Sequence, residues 1–196
     1  MSVTKKAARV VLAVSGLSGC ATSGGWMGVE SEKAYDKDLE IRRLAEVLNN
    51  DDYYEFERDG RIYVLSDARD FTGFLKTAEI PYSTKLIGGG PGGKTIIYGL
   101  VKNETKMLEK EPRSQGAAQK MYEGKLEGLE QNFFAVVIRE NKAYVFSSWN
   151  DLEAFRNSGS ASGYVENNGP EGRNVVFVNA SAKPQEAATR FARLYQ

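Results

Sequence analysis

Short runs of aromatic and β-branched residues, separated by turn-forming residues, occupy most of the chain after residue 50. Two of these runs flank Asp59-Gly60, and two others flank Glu140-Asn141. Asp-Gly is a strong hairpin signal, because both central residues of the tight turn between two antiparallel strands need a positive φ. The pattern therefore predicts one β-hairpin around each dipeptide.

A helix-like spacing of apolar residues follows each predicted hairpin. The apolar residues lie three or four positions apart, and a residue suited to the N-cap position precedes each set. These residues are Phe71, Phe74 and Leu75 after Asp67, and Leu152 and Phe155 after Ser148. A short helix is predicted in both places.

Glycine-proline turns then separate two further strand-like runs in each half of the chain. The turns are Gly90-Pro91 and Gly169-Pro170, and each predicts a second hairpin. Further along, Pro112 and Pro184 precede alanine-containing apolar stretches. Because proline is favoured in the first turn of a helix, these two prolines predict the starts of two more helices.

The elements recur because the sequence repeats itself. Three blocks align in the same order: residues 53–66 with 134–147, 70–74 with 151–155, and, after a two-residue shortening, 90–98 with 169–177. A repeat has to be recognised before any motif within it is interpreted. The predicted fold class is α+β, a tandem duplication of a small β-β-α-β-β(-α) unit with antiparallel hairpins. Its two copies pack either as a pseudo-two-fold pair or with their sheets joined edge to edge.

The start of the chain has a different pattern. Lys5, Lys6 and Arg9 precede the apolar run of residues 10–14, and small residues lead to Cys20, the sole cysteine. This is the plan of a secretory signal peptide, and the apolar run is too short to span a bilayer. Leu17-Ser18-Gly19-Cys20 resembles the lipobox of bacterial lipoproteins.

The resemblance implies that the chain is cut before Cys20 and that this cysteine carries a diacylglycerol and acyl chains such as palmitate. Several acyl chains anchor a protein firmly, since each buried methylene contributes about 0.8 kcal/mol. No aspartate follows Cys20 directly, which in this family favours the outer membrane, with the body in the periplasm. Five regions are therefore expected: a signal peptide over 1–19, the lipidated cysteine and a tether over 20–35, the first repeat with a leading helix over 36–102, a charged helical connection over 103–131, and the second repeat with a C-terminal helix over 132–196.

The charge balance changes when the signal peptide is removed. The full chain has 26 basic and 26 acidic residues, and residues 1–19 contain three basic residues and no acid. The mature chain therefore has 23 basic and 26 acidic residues, a net charge of −3. Nucleic acids need a basic face on their partner, so neither they nor anionic lipids are expected as bulk electrostatic partners.

One segment matches a nucleotide-binding motif in its amino-acid sequence. Gly88–Thr95 fits the Walker A pattern G-x-x-x-x-G-K-[ST]. A phosphate-binding loop must open a helix, whereas the residues after Thr95 are β-branched and aromatic and predict a strand. The copy at 169–174 keeps the turn residues but has Arg173-Asn174 in place of the lysine-threonine pair. We therefore interpret the motif as a glycine-rich hairpin loop and expect no nucleotide.

Catalysis has little support in this composition. The chain has no histidine, which excludes Ser-His triads and removes the commonest general base and zinc ligand. A carboxylate pair acting on cell-wall polysaccharide is the alternative, and the nearest acidic cluster is Glu55, Glu57, Asp59, Asp67 and Asp70. Glu55 and Glu57, however, alternate along one strand, as expected for a solvated face. No catalytic residue, metal site or cofactor is expected.

The basic residues beside the hairpin turns are the candidate contact site. They are Arg58, Arg61 and Lys94 in the first copy, and Arg139, Lys142 and Arg173 in the second. The alternative is an ordinary solvated hairpin end. Aromatic contacts could come from Tyr53, Tyr82, Trp149 and Tyr164, although Trp149 also suits a core position. The sequence thus favours a non-catalytic interaction or scaffold module of the cell envelope, anchored through Cys20, whose partner is an envelope protein or an anionic envelope polymer.

Overall fold

A computed structural model of the chain describes residues 48–196. The expected signal peptide, lipidated cysteine and tether, and all but the last residue of the predicted leading helix, lie outside the described residues. Within them the fold is mixed α+β, with one eight-stranded sheet and five helices. The strands are β1 Asp52–Arg58, β2 Arg61–Leu65, β3 Ser83–Leu86, β4 Thr95–Gly99, β5 Phe134–Arg139, β6 Lys142–Phe146, β7 Gly163–Glu166 and β8 Asn174–Val178. The helices are α1 Ala68–Thr77, α2 Lys102–Lys110, α3 Ala117–Tyr122, α4 Trp149–Ser158 and α5 Gln185–Arg193.

The two tight hairpins form where the turn residues predict them. Asp59 and Gly60 have φ values of 52° and 71°, and Glu140 and Asn141 have φ values of 50° and 61°. Two consecutive positive φ values match the right-handed twist of the strands on either side of the turn. The prediction of hairpins β1–β2 and β5–β6 is confirmed.

The helix that follows each hairpin starts after the expected residue. Asp67 is the N-cap of α1, and its side chain accepts a hydrogen bond of 2.7 Å from the backbone N–H of Arg69. Ser148 occupies the N-cap position of α4. The prediction for Pro112 is wrong, because α3 begins only after its N-cap Gly116. Pro184 is the N-cap residue of α5 and stands just outside the first turn.

All eight strands belong to one sheet, in the order β3-β4-β2-β1-β5-β6-β8-β7. Strands β1–β4 fill one half of this order and β5–β8 fill the other. The halves meet at β1 and β5, which pair in parallel from Asp52 opposite Phe134 to Phe56 opposite Ile138. The two halves therefore join edge to edge at the centre of the sheet.

Helices cover both faces of the sheet. On the first face, α1 and α5 pack on a cluster that includes Tyr54, Phe134 and Phe177. On the second face, α3 and α4 pack on a cluster that includes Tyr53 and Phe133. Since successive side chains of a strand point to opposite faces, a strand covered on both sides must be apolar throughout. This explains the unbroken apolar run from Phe133 to Ile138.

Candidate functional site

The six predicted basic residues lie at one end of the sheet, which we call the turn end because it carries the β1–β2 and β5–β6 turns. Arg58 lies opposite Arg61 across the first turn, and Arg139 lies opposite Lys142 across the second. The two turns are neighbours because β1 and β5 are adjacent and parallel. Lys94 and Arg173 reach the same end because β4 and β8, which they precede, start beside β2 and β6.

Four of the six basic side chains already have a carboxylate partner at the turn end. Lys94 Nζ lies 2.6 Å from Glu57 Oε2, and Arg139 Nη2 lies 2.5 Å from Glu55 Oε1. The other two pairs are Arg173 with Glu171 and, at a looser 4.0 Å, Arg58 with Asp59. Arg61 and Lys142 are exposed, and neither forms an ion pair with a residue of the described part of the chain. The turn end is therefore a surface of mixed and largely balanced charge.

Two of these arginines also stack on the helices of their own halves. The Arg58 guanidinium carbon lies 5.5 Å from the centre of the Phe74 ring in α1. The Arg139 guanidinium carbon lies 5.3 Å from the centre of the Phe155 ring in α4. Cation–π contacts of this kind hold the guanidinium in place and cover the end of the aromatic core. These two arginines thus have a structural role in addition to any contact they make with a partner.

Glu55 does not lie on a solvated face, and that prediction is wrong. Only 5% of the residue is exposed, because α3 and α4 cover this face of the sheet. Its carboxylate accepts hydrogen bonds from Arg139 Nη2 at 2.5 Å and from Tyr53 Oη at 2.6 Å. Glu57, two residues further on, is exposed as expected. Val136, the residue aligned with Glu55 in sequence, is buried on the opposite face of the sheet and so gave no indication that the Glu55 face is covered.

The five carboxylates of the catalytic alternative are divided between the two ends of the sheet. Glu55, Glu57 and Asp59 lie towards the turn end of β1. Asp67 and Asp70 follow β2, which runs away from that end and spans about 17 Å at about 3.4 Å per residue. A glycosidase needs two carboxyl groups about 5 to 9.5 Å apart across one substrate bond. The cluster that is contiguous in sequence is therefore not one cluster in space.

The opposite end of the sheet holds Asp52, Asp67 and Asp70, and only Asp67 and Asp70 were candidates from the sequence. Burial raises the pKa of Asp52 from 3.8 to about 6, against the attraction of Arg190, and 8% of this residue is exposed. Burial and the nearby charge of Asp67 raise the pKa of Asp70 to about 6. For Asp67, hydrogen bonds from the side chain and backbone of Arg69 outweigh burial and lower the pKa. No sequence pattern marked Asp52, since its partner Arg190 is 138 residues away.

A cavity of about 590 Å³ opens at this opposite end. It lies among the start of β1, the segments that follow β2 and β4, and the residues just before β5. Its lining is polar except for three aliphatic residues, and it consists of Asn49, Asp51, Asp52, Ser66, Asp67, Ala68, Arg69, Val101, Lys102, Asn103, Leu129, Asn132 and Arg190. Of the candidates considered from sequence, Asp67 alone lines this cavity.

The Walker-like segment forms a loop that leads into a strand, whereas a phosphate-binding loop opens a helix. Within this loop Gly92 has a positive φ of 66°, and Thr95 begins strand β4. The prediction of a strand after Thr95 is confirmed. The lysine of the motif, Lys94, is paired with Glu57.

Two of the four aromatic candidates belong to the core. Tyr53 and Trp149 are 0% and 5% exposed, and their rings meet edge to face with centres 6.5 Å apart. Tyr164 is partly buried against the first-face cluster, and Tyr82, beside β3, is half exposed. Tyr82 is therefore the most accessible of the four.

Among residues 48–196, no group of three or more metal-ligating side chains is placed to hold a metal ion. Within the same range, no helix combines the length and the apolar character needed to cross a membrane. The chain matches no protein-family model, and no curated protein or solved structure is significantly similar to it. The site must therefore be interpreted from its own chemistry.

Proposed function

We propose that this protein is a lipid-anchored envelope protein, cut before Cys20 and held at the outer membrane with its body in the periplasm. The support is the succession of a basic start, a short apolar run and Leu17-Ser18-Gly19-Cys20. The anchor is tested by mass spectrometry of the full chain purified from membranes in detergent. The expected mass lacks residues 1–19 and includes a diacylglycerol and an acyl chain, whereas Cys20→Ala keeps the precursor mass. A shortened chain without lipid would contradict the proposal.

The anchored body acts as a non-catalytic interaction or scaffold module, and the turn end is its contact surface. The observation that carries this proposal is the gathering of six cationic side chains at one end of the sheet, four of them already paired with carboxylates. An anionic polymer would have to compete with those carboxylates for the cations. A folded protein with its own mixed charges can match them instead, because complementary charges at an interface fix the register of two partners. A protein partner is therefore favoured over an anionic polymer.

The contact surface is tested in cells by crosslinking from the two exposed cations that form no ion pair within residues 48–196. A photoreactive residue placed near Arg61 or Lys142 should capture a discrete protein partner. Arg61→Glu and Lys142→Glu should each reduce this capture, while Lys106→Glu, an exposed change on α2, should leave it unchanged. Arg139 and Arg58 are avoided because their substitution would also remove contacts within the fold. Equal capture in all variants would contradict the proposed surface, and capture of polysaccharide would point to the polymer.

We also infer that the body is a tandem duplication, as the repeated sequence blocks indicate. In support, the two halves contain the same strand order, counted outwards from the centre of the sheet. Residues 81 positions apart occupy opposite faces: Phe71 and Phe74 lie in the first-face cluster, whereas Leu152 and Phe155 lie in the second-face cluster. A two-fold axis in the plane of the sheet, parallel to β1 and β5, has this effect. Such an axis would relate α1 to α4 and α3 to α5.

A further inference from the structure

The cavity at the opposite end of the sheet lies where the chain leaves two parallel neighbouring strands. β2 and β4 pair in parallel, and both end beside the cavity. After β2 the chain passes to the first face through α1, and after β4 it reaches the second face through α3. In open sheets, ligands bind in the crevice outside the carboxyl ends of strands where successive connections diverge to opposite faces. The position alone makes this cavity a candidate ligand site.

The lining of the cavity has charges that are already balanced. Three carboxylates face three cations: Asp51, Asp52 and Asp67 against Arg69, Lys102 and Arg190. Two of the cations are paired within the protein, Arg190 with Asp52 and Arg69 with Asp67. A strongly anionic or cationic ligand would have to break these pairs. The site is therefore suited to a ligand without net charge.

The remaining lining is rich in groups that both donate and accept hydrogen bonds. Asn49, Asn103 and Asn132 each supply an amide with two donors and one acceptor oxygen, and Ser66 supplies a hydroxyl group. A sugar hydroxyl also donates and accepts, so a row of such hydroxyls can satisfy amides and paired ions at the same time. The volume of about 590 Å³ falls within the usual range for small-ligand sites, about 300 to 1,000 Å³.

In the second half of the sheet, different contacts are made after the strand β8, which corresponds to β4. There, Asn179, just after β8, donates a hydrogen bond of 2.6 Å to Asp151 in α4 and so ties the two chain segments together. In the first half, Leu100 takes the place of Asn179 after β4, and its apolar side chain cannot make that bond to Asp70. A cavity of about 440 Å³ is also present in the second half, and Asp151 and Asn179 line it themselves, so the two halves differ in the residues that surround their openings.

We propose that this cavity, between the carboxyl ends of β2 and β4, binds a neutral polyhydroxylated ligand, namely one or two sugar units of an envelope saccharide. Together with a protein bound at the turn end, such a site would let the body connect a saccharide to a protein. That the saccharide belongs to the envelope rests on the proposed lipid anchor, whereas saccharide binding itself is tested separately from the anchor and from the protein partner.

The test uses the full chain in detergent micelles and four neutral disaccharides as probes: N,N′-diacetylchitobiose, cellobiose, maltose and trehalose. Binding is measured by calorimetry and by amide chemical shifts. At least one probe should bind saturably with a Kd below about 1 mM, and its shifts should centre on the cavity residues. Sulfate and glucosamine, as a charged anion and a charged cation, should bind at least tenfold more weakly.

Matched variants distinguish the cavity from the general surface. Asn103 and Asn150 are each the second residue of a helix, α2 and α4, and both are exposed, but only Asn103 lines the cavity. Asn103→Phe should weaken binding at least tenfold by filling the opening, and Asn150→Phe should change it less than twofold. The proposal is overturned if no disaccharide shifts the cavity residues at concentrations up to about 20 mM, if the charged probes bind better, or if Asn103→Phe binds like the parent chain.

Discussion

Replacing Asp70 by asparagine should stabilise the protein at neutral pH. Asp70 lies in the first turn of α1, where burial and the nearby charge of Asp67 raise its pKa to about 6. The charged form is therefore less favourable in the folded chain than in the unfolded chain. Asparagine keeps the shape of the side chain and removes the charge. Asp151, which aligns with Asp70 in sequence, instead accepts a hydrogen bond from Asn179.

The size of the effect follows from the pKa of Asp70. The difference between 3.8 and about 6 corresponds to about 3 kcal/mol in the free energy of unfolding once the group is fully ionised. Asp70 is only partly buried, so solvent screening reduces this to about 1 to 1.5 kcal/mol. Because the folded-state pKa is the higher one, this group favours the folded state most below pH 3.8, and the advantage is lost as the pH rises through 6. The gain from Asp70→Asn should therefore be full at pH 7.5 and nearly absent at pH 4.

The assay is urea unfolding of the full chain, followed by circular dichroism at pH 4 and pH 7.5. Asp151→Asn is the matched control, and it should be neutral or destabilising at pH 7.5 because it weakens the bond to Asn179. A stabilisation by Asp70→Asn that is equal at both pH values would refute the electrostatic explanation. A destabilisation at pH 7.5 would show that the Asp70 charge is favourable where it lies.

Three further predictions use the same unfolding measurement. A double-mutant cycle between Glu55→Gln and Arg139→Gln should give a coupling energy of about 1 to 3 kcal/mol, because Arg139→Gln alone leaves the buried Glu55 carboxylate without its partner. Additive effects of the two substitutions would show that the ion pair contributes nothing to stability. Gly73→Ala in α1, where an added Cβ meets open space, should stabilise the protein by about 1 kcal/mol. Gly163→Ala should destabilise it by more than about 2 kcal/mol, because the added Cβ would lie 1.9 Å from the Phe177 carbonyl oxygen. Similar results for the two variants would contradict the strand packing at Gly163. Asp52→Asn should reduce the loss of stability between pH 4 and pH 7.5, because burial raises the pKa of this carboxyl to about 6. An unchanged dependence of the unfolding free energy on pH would argue against that pKa.

The two tight turns and the starts of α1 and α4 were predictable because they depend on neighbouring residues. A positive φ at Asp59-Gly60, or the capping of a helix by Asp67, needs only local geometry. The gathering of six basic residues at one end was partly predictable, since the repeat placed each of them beside a turn. Their carboxylate partners were not, because Glu55 meets Arg139 only through the pairing of β1 with β5.

The burial of the acidic residues and their ion-pair partners were the least predictable features. The spacing of Glu55 and Glu57 is the same whether or not a helix covers that face of the sheet, and only the packing of α3 and α4 buries Glu55. In the same way, nothing in the sequence distinguishes Asp52 from other strand residues, and only the packing of α5 places Arg190 beside it. The cavity arises from five separate parts of the chain and leaves no contiguous sequence pattern.

The sequence by itself determined the two tight hairpins, the starts of α1 and α4 and the residue types available for chemistry, because each of these depends on short-range patterns or on composition. Only the tertiary structure decided that the two halves share one sheet through β1 and β5, that the cations of the turn end are largely paired, and that a polar cavity opens after β2 and β4. The physical reason is that strand pairing, burial and the pKa of Asp52 depend on contacts between residues far apart in the chain.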